Sequence, residues 1–372
     1  HKGQKSGCVR VFNSGSLRGV SPDWRIGSEV RGDDPYMGMV NSEPVFLATR
    51  QSSYEARGVF FSDNRGGIFY VTFEDPETNA PYDSWDDWKI YTVASLRGSG
   101  DASTDSYSIP WGLVAGGSSG GLYVSGGTAN AVRADPTNDG NQHLFNKSQM
   151  IFAFAMPDIA AAPNEGGKKS ERGDWAQLSA DVSNDVLSAE EEAKRKNNGW
   201  YIPLREADNN ANGYLEEYVT TRPVLSGGNL YVATFMQERI DTTSAGSCET
   251  GSSLMGKSRL YVISLETGSS ALSDSDKKYH ELDGVKIVNV MEIGDKIALR
   301  AAELDAEAVK NNEISKKISI TQMGEGDMGV NLMSLEKDLL NDDDEDEDEE
   351  LSDGDSPNVT PNDTIINYWL YK

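Results

Sequence analysis

Cysteine is nearly absent from this chain of 372 residues. Cys8 and Cys248 are the only two. They can pair across the fold in an oxidising compartment, but two residues build no disulfide framework, and their spacing excludes a zinc ribbon. Histidine is almost as scarce, with three residues, which removes a His-rich metal centre. Uninterrupted apolar runs of about 20 residues are also missing, so no membrane-spanning helix is expected. Basic residues are outnumbered, 34 against 60 acidic ones, for a net charge of −26. Phosphate backbones are held by clustered Lys and Arg, so nucleic acid is excluded as a partner. No signal peptide is visible and the chain begins at His1, as expected of a processed product or a fragment. No Gly-rich phosphate loop opening a helix and no G-x-S-x-G elbow is found, so no enzymatic step is expected. His143 and His280 read as surface residues rather than general bases.

What the chain does have is a recurring hairpin. A glycine-marked turn followed by a short aromatic and β-branched strand occurs at Gly66–Val71, Gly120–Val124 and Gly227–Val232, and more loosely at Ser258–Ile263. Glycine provides the positive φ of tight hairpin turns, and the Ile/Leu-aromatic-Val residues suit a buried pleated strand. Partner strands are expected at Gly58–Phe61, Trp111–Val114 and Pro223–Leu225. The composition and repeats predict an all-β chain, with a β-propeller favoured over a plain sandwich because one hairpin repeats. Residues 1–372 then form one domain, with inserted loops and helices at 157–199 and 271–360. Within the first, Ser188-Ala189-Glu190-Glu191 is a capping box, with Lys194, Arg195 and Lys196 placed to end the helix. Within the second, Lys286–Val290 reads as a strand and the Ala- and Glu-rich Arg300–Lys310 as helical. Residues 342–355 hold eleven acids and no base and are expected to form a mobile acidic run. Ile365–Tyr371 reads as a terminal strand that closes the ring.

Taken in order, several segments resemble the PilC/PilY family of type IV pilus tip-associated adhesins. Gly32-Asp33-Asp34 through Val40-Asn41-Ser42-Glu43-Pro44-Val45 is similar to that family's "GD…V-x-S-x-P" segment, and Phe61–Phe69 to its "GDxGGxLWRF" strand pair. Gly126-Gly127-Thr128 with Gln149–Phe154 resembles "FGTG…QSFYGI", and Gly199–Leu204 resembles "GWYLDL". Val219–Pro223, Ala233–Phe235, Cys248 and Ser258–Gly268 together resemble "VVTRPVVxGGxVYFTTF…C…GGxSxLYALDxxTG". Asn367-Tyr368-Trp369 corresponds to the closing "SWR". The resemblance spans residues 30 to 270 and the last few.

That resemblance implies a seven-bladed, quinoprotein-like propeller exported across the envelope to the pilus tip or outer cell surface. It implies adhesion and pilus assembly, with minor pilins or a tip subunit and a host or surface receptor as partners. The family's large N-terminal module is missing, so either the chain is a fragment or a separate chain carrying that module is a further partner. The family's Asp-rich calcium loop falls where this chain has Arg50–Arg57 with one carboxylate, Glu55, too few for a cation that takes six to eight oxygens. The alternatives within the same architecture are a quinoprotein enzyme, which needs a Trp or cysteine pair over its cofactor, and an envelope scaffold.

The residues offer calcium a different loop. Asp208, Asn210, Asn212, Tyr214 and Glu216 stand at positions 1, 3, 5, 7 and 9 of an EF-hand-like spacing, with Gly213 at 6. Position 12 is Val219 rather than Glu, and a polar hairpin turn explains the same residues. Asp135–Asn141 is a weaker oxygen-rich loop. Arg31-Gly32-Asp33 spells the integrin-binding tripeptide, which chance also supplies. Trp85 and Trp88, with Asp83, Asp86 and Asp87, form either a patch that binds a partner or glycan or gap-filling indoles, the latter favoured.

Overall fold

The computed structural model describes residues 40, 42–48, 56–83, 87–97, 107–118, 121–129, 149–158, 170–205, 216–238, 256–272, 275–293, 296–303, 319–322 and 330–336. Four sheets follow one another along the chain. The first runs β1 (Val45–Ala48), β2 (Ala56–Ser62), β3 (Gly67–Thr72), β4 (Lys89–Ser95) and β8 (Ser170–Glu171). The second runs β5 (Val114–Ser118), β6 (Gly121–Gly127), β7 (Met150–Ala155), β10 (Gly199–Pro203) and β9 (Ala176–Gln177). The third runs β11 (Tyr218–Val219), β13 (Asn229–Gln237), β14 (Gly256–Ser264) and β15 (Tyr279–Asp283), with β12 (Val224–Ser226) also on β13. The fourth runs β16 (Val285–Ile293), β17 (Lys296–Glu303), β19 (Val330–Glu336) and β18 (Ser319–Gln322). Helix is confined, among the described residues, to α1 (Ala189–Asn197) and short 3₁₀ turns. The chain is therefore all-β, and none of the four sheets closes on itself.

The expected hairpins form. Strands β2 and β3 pair antiparallel around Asp63–Gly66, where Asp63 Oδ1 accepts from the amides of Arg65 and Gly67 at 3.0 and 2.8 Å. Strands β12 and β13 turn through Gly227-Gly228, with Ser226 opposite Asn229. These strands read as continuous apolar runs because both of their faces are covered. On β2 and β3, Phe60, Ile68 and Tyr70 enter a core shared with Val124, Phe152 and Phe154 of the second sheet. Val59, Phe61, Phe69 and Val71 enter a separate cluster on the opposite face, against Phe73, Trp88 and Ile90.

The stacking continues in chain order. Tyr123, Ile151, Trp200 and Ile202 of the second sheet pack on Leu230, Val232, Tyr261 and Ile263 of the third. The other face of the third, with Tyr231, Ala233, Leu260 and Val262, packs on Val285, Ile287, Ile297 and Leu299 of the fourth. Each large apolar side chain buried in these layers contributes about 1.5–3 kcal/mol. Strands β1, β5, β12 and β16 adjoin one another in that order, so one edge of each sheet gathers on a common side.

Two expectations need correction. The strand before β6 begins at Val114, because Ile109–Gly112 form a turn. Arg300–Glu303 ends β17 rather than opening a helix: Ile297, Leu299 and Ala301 alternate inward with period two, and that outweighs the helix propensity of Ala and Glu. Residues 304–310 lie outside the described residues. The strand expected at Lys286–Val290 is present and longer, as β16, and β17 pairs with it.

The N-cap half of the expected capping box forms. Ser188 Oγ accepts from Glu191 N at 3.2 Å, and Lys194 and Arg195 pair back to Glu191 and Glu192 in the last turns of α1. The segment around this helix supplies sheet edges: β8 pairs parallel with β4, and β9 pairs parallel with β10. Trp175 lies between them, stacked on Phe154 at 5.6 Å between ring centroids. The acidic run 342–355, the terminal strand 365–371, Arg31–Asp33, Asp135–Asn141, His143, Trp85, Cys8 and Cys248 all lie outside the described residues.

Candidate binding cleft

A cleft of about 1000 Å³ opens between the loop at 177–187 and one face of β14 and β15. Its wall is fixed by a buried ammonium. Lys278 is fully buried, and Nζ donates to Ser179 O at 2.8 Å, Val182 O at 2.7 Å and Asp185 Oδ2 at 2.7 Å. All three ammonium protons thus have acceptors, which a buried lysine requires. Asp185 Oδ1 accepts in turn from Ser179 N at 2.7 Å, and Tyr279 Oη donates to Asp181 Oδ1 at 2.8 Å. Two backbone bonds, Lys278 N to Ala180 O and Ser270 N to Ser183 O, complete the tie.

The floor follows from strand alternation: Lys257 and Arg259 on β14, and Tyr279 and Glu281 on β15, share one face. Glu281 accepts from Lys257 Nζ at 2.7 Å and Arg259 Nε at 3.0 Å. Burial works to raise the Glu281 carboxyl, but the hydrogen bonds from Lys257 and Arg259 outweigh it and hold it below the usual carboxylate range. The Arg259 guanidinium lies 4.1 Å over the Tyr279 ring. Burial, followed by the hydrogen bond to Asp181, pushes the Tyr279 phenol well up.

Beneath the floor Glu217 is fully buried and accepts four hydrogen bonds. Thr234 Oγ1 at 2.6 Å and Tyr261 Oη at 3.0 Å reach Oε1, while Arg259 Nη1 at 2.9 Å and Arg205 N at 3.1 Å reach Oε2. Desolvation is the largest single influence on Arg259 and opposes its charge, but Glu217, Tyr261, Tyr279 and the hydrogen bond to Glu281 together outweigh it, so its pKa is raised further. Tyr261 is driven far up, first by burial and then by the Glu217 charge. The cleft therefore presents rigid donors and acceptors of both signs, a chemistry suited to holding a polar ligand by hydrogen bonds.

Of the calcium loop expected from sequence, Asp208, Asn210, Asn212 and Tyr214 lie outside the described residues, and Glu216 is half-buried at the loop's end. Gln149 Nε2 donates to its Oε1 at 3.3 Å. Arg205 and Glu217 close the loop's neck, since Glu217 N also donates to Arg205 O at 2.9 Å. Val219 at position 12 is fully buried, so that position is committed to the core. No group of three His, Cys, Asp or Glu poised for a metal occurs among the described residues.

Trp88 packs on Phe73 at 4.3 Å between ring centroids, the gap-filling role favoured from sequence, while Asp83 and Asp87 are exposed. His280 lies half-buried on β15. Sequence reasoning passed over a second Arg-Gly-Asp, at 172–174, where a 3₁₀ turn lets Arg172 Nη1 donate to Tyr107 Oη at 2.8 Å. It also missed Glu217, Arg259 and Lys278. The available signal was a charge set inside or beside an apolar strand run, as in Ser258-Arg259-Leu260-Tyr261.

No protein-family model matches the chain, and no curated protein does. Among solved structures the chain is similar to one described as the crystal structure of the Pseudomonas aeruginosa PilY1 C-terminal domain. The TM-score is 0.45 at 11% sequence identity, over 70% of this chain and 58% of that one. The chain thus spans less than two thirds of the domain it matches.

Proposed function

We propose that this chain is a diverged β-propeller of the PilC/PilY type, acting by binding at the tip of a type IV pilus without a chemical step. The observation that carries the reading is how the family-like segments meet. Trp200, of the "GWYLDL"-like segment, donates its indole N–H to Leu265 O at 3.0 Å. Gly268, ending the "LYALDxxTG"-like segment, lies so close to Trp200 and Leu178 that an added Cβ would stand 2.9 and 2.3 Å from them. Residue types quoted for the resemblance are thus the ones that lock the second sheet to the third. Four sheets, antiparallel apart from the short edge strands β8 and β9, stacked in chain order with one edge of each on a common side, support blades rather than the two layers of a sandwich.

In this reading the domain works outside the cell, at the pilus tip or outer surface. Its partners are minor pilins or a tip subunit and a surface receptor. Deleting the coding sequence in the source cells is expected to reduce surface filaments and attachment, with recovery on complementation. Unchanged piliation and attachment would remove the proposal. Calcium at Asp208, Asn210, Asn212, Tyr214 and Glu216 belongs to the same proposal. Addition of calcium after chelation is expected to raise the thermal midpoint, and Asp208→Ala to abolish that rise. An identical midpoint with and without calcium would exclude the site.

A further inference from the structure

We infer that the turn carrying Trp111, together with Glu43 and Arg222, is a binding site for a neutral pyranose sugar. The turn is built for display. Ile109, Pro110, Trp111 and Gly112 form four residues closed by Gly112 N donating to Ile109 O at 3.4 Å. Proline at the second position and a glycine at φ +80° in the fourth are what such a turn favours. Ile109 at its start and Leu113 just after it are fully buried in the core between the first two sheets, so both ends of the turn are anchored. Trp111 between them remains 42% exposed.

The indole is also pinned. Its Nε1–H donates to Val219 O at 2.8 Å, across to the third sheet. The polar edge is therefore satisfied internally, and what the ring offers to solvent is apolar surface. An exposed large apolar side chain held rigid in this way is informative where a merely mobile one is not.

Two charged residues from other segments of the chain lie near this turn, both outside the strands. Gly112 lies against Glu43, with Glu43 O 3.4 Å from where a Cβ would stand. Arg222, three residues beyond the carbonyl that Trp111 grips, faces Glu43 at 3.7 Å from Nη1 to Oε2, both side chains well exposed. A fixed flat apolar face on a turn that packs on Glu43, whose carboxylate faces the planar donor Arg222, matches a pyranose ring, which has an apolar C–H face and a rim of hydroxyls. One ring and one ion pair are far smaller than the roughly 800 Å² per partner that a stable protein interface needs. The ion pair is neutral and the chain carries −26, which disfavours an acidic sugar. This site does not depend on the pilus reading and is tested on the purified full chain.

The test follows the Trp111 indole N–H resonance, assigned by its loss in Trp111→Phe, during titration with methyl glycosides of glucose, galactose, mannose and N-acetylglucosamine. At least one is expected to shift that resonance saturably. Binding of the same glycoside, read in every variant by calorimetry, should weaken about tenfold or more in Trp111→Ala and severalfold in Arg222→Gln and Glu43→Gln. If Trp111→Ala does not fold, Trp111→Phe, which keeps a stacking face, should bind measurably but more weakly, and the Arg222 and Glu43 variants still report. No shift with any neutral glycoside, binding that survives loss of the indole, or a response confined to acidic sugars or to a protein would each overturn the inference.

Discussion

At the residue scale the most consequential group is Glu217, a carboxylate without solvent contact that is held by four donors. Removing it leaves Arg259 buried against Glu281 alone, and breaking a buried ion pair from one side costs about 3–5 kcal/mol. Glu217→Ala is therefore expected to lower the unfolding free energy from urea titration by that amount, whereas a loss below about 1 kcal/mol would mean that the network behaves as an exposed pair does. Tyrosine supplies a pH dependence. Burial pushes the Tyr70 phenol up to about 12, and Tyr261 and Tyr279 are raised as well. Unfolded tyrosine ionises near about pH 10. Stability from these groups is thus complete below about pH 10 and is lost as pH rises through their folded values. Alkaline titration by phenolate absorbance should show a late class of tyrosines ionising together with unfolding; simple titration of every tyrosine near about pH 10 would contradict it. Glu281 acts in the opposite sense: its depressed value adds stability above the usual carboxylate range that is lost on acidification.

At the scale of elements, the turn after β14 shows why a family-like glycine is required. Gly268 has φ +66° and no room for a β-carbon beside Leu178 and Trp200. Gly268→Ala meets both penalties and is expected to destabilise the chain by about 1–3 kcal/mol, measured as a lowered thermal midpoint. Wild-type stability would show that the contact with Trp200 relaxes freely. The hairpins were legible because a buried strand leaves a local mark: Ile68-Phe69-Tyr70-Val71 and Leu230-Tyr231-Val232 are apolar on both faces and follow glycine turns. The end of strand β17 was not legible, since Ala301, Ala302 and Glu303 are helix formers whose propensity only the pairing with β16 overrides. The cleft was hidden for a different reason. Lys278 and Asp185 lie 93 residues apart in sequence, and nothing local indicates that they meet.

At the scale of the whole molecule, a stack of sheets is combined with a strongly acidic composition. A net charge of −26 keeps such a chain soluble and repels other acidic surfaces, which favours recognition by specific sites over broad electrostatic attraction. The cleft at Lys278 and the turn at Trp111 both draw residues from more than one sheet, so each depends on the stacking being correct. Trp200→Ala, which removes the indole bond to Leu265 O and a large buried ring, is expected to cost about 3–5 kcal/mol. It should also perturb the cleft, because Leu178 packs in the same cluster.

The most direct test of binding at the pilus tip is to shear surface filaments from the source cells and label them with gold-conjugated antibody against this domain. Gold confined to filament ends is the expected result. Filaments that carry no gold, or carry it uniformly along their length, would contradict it.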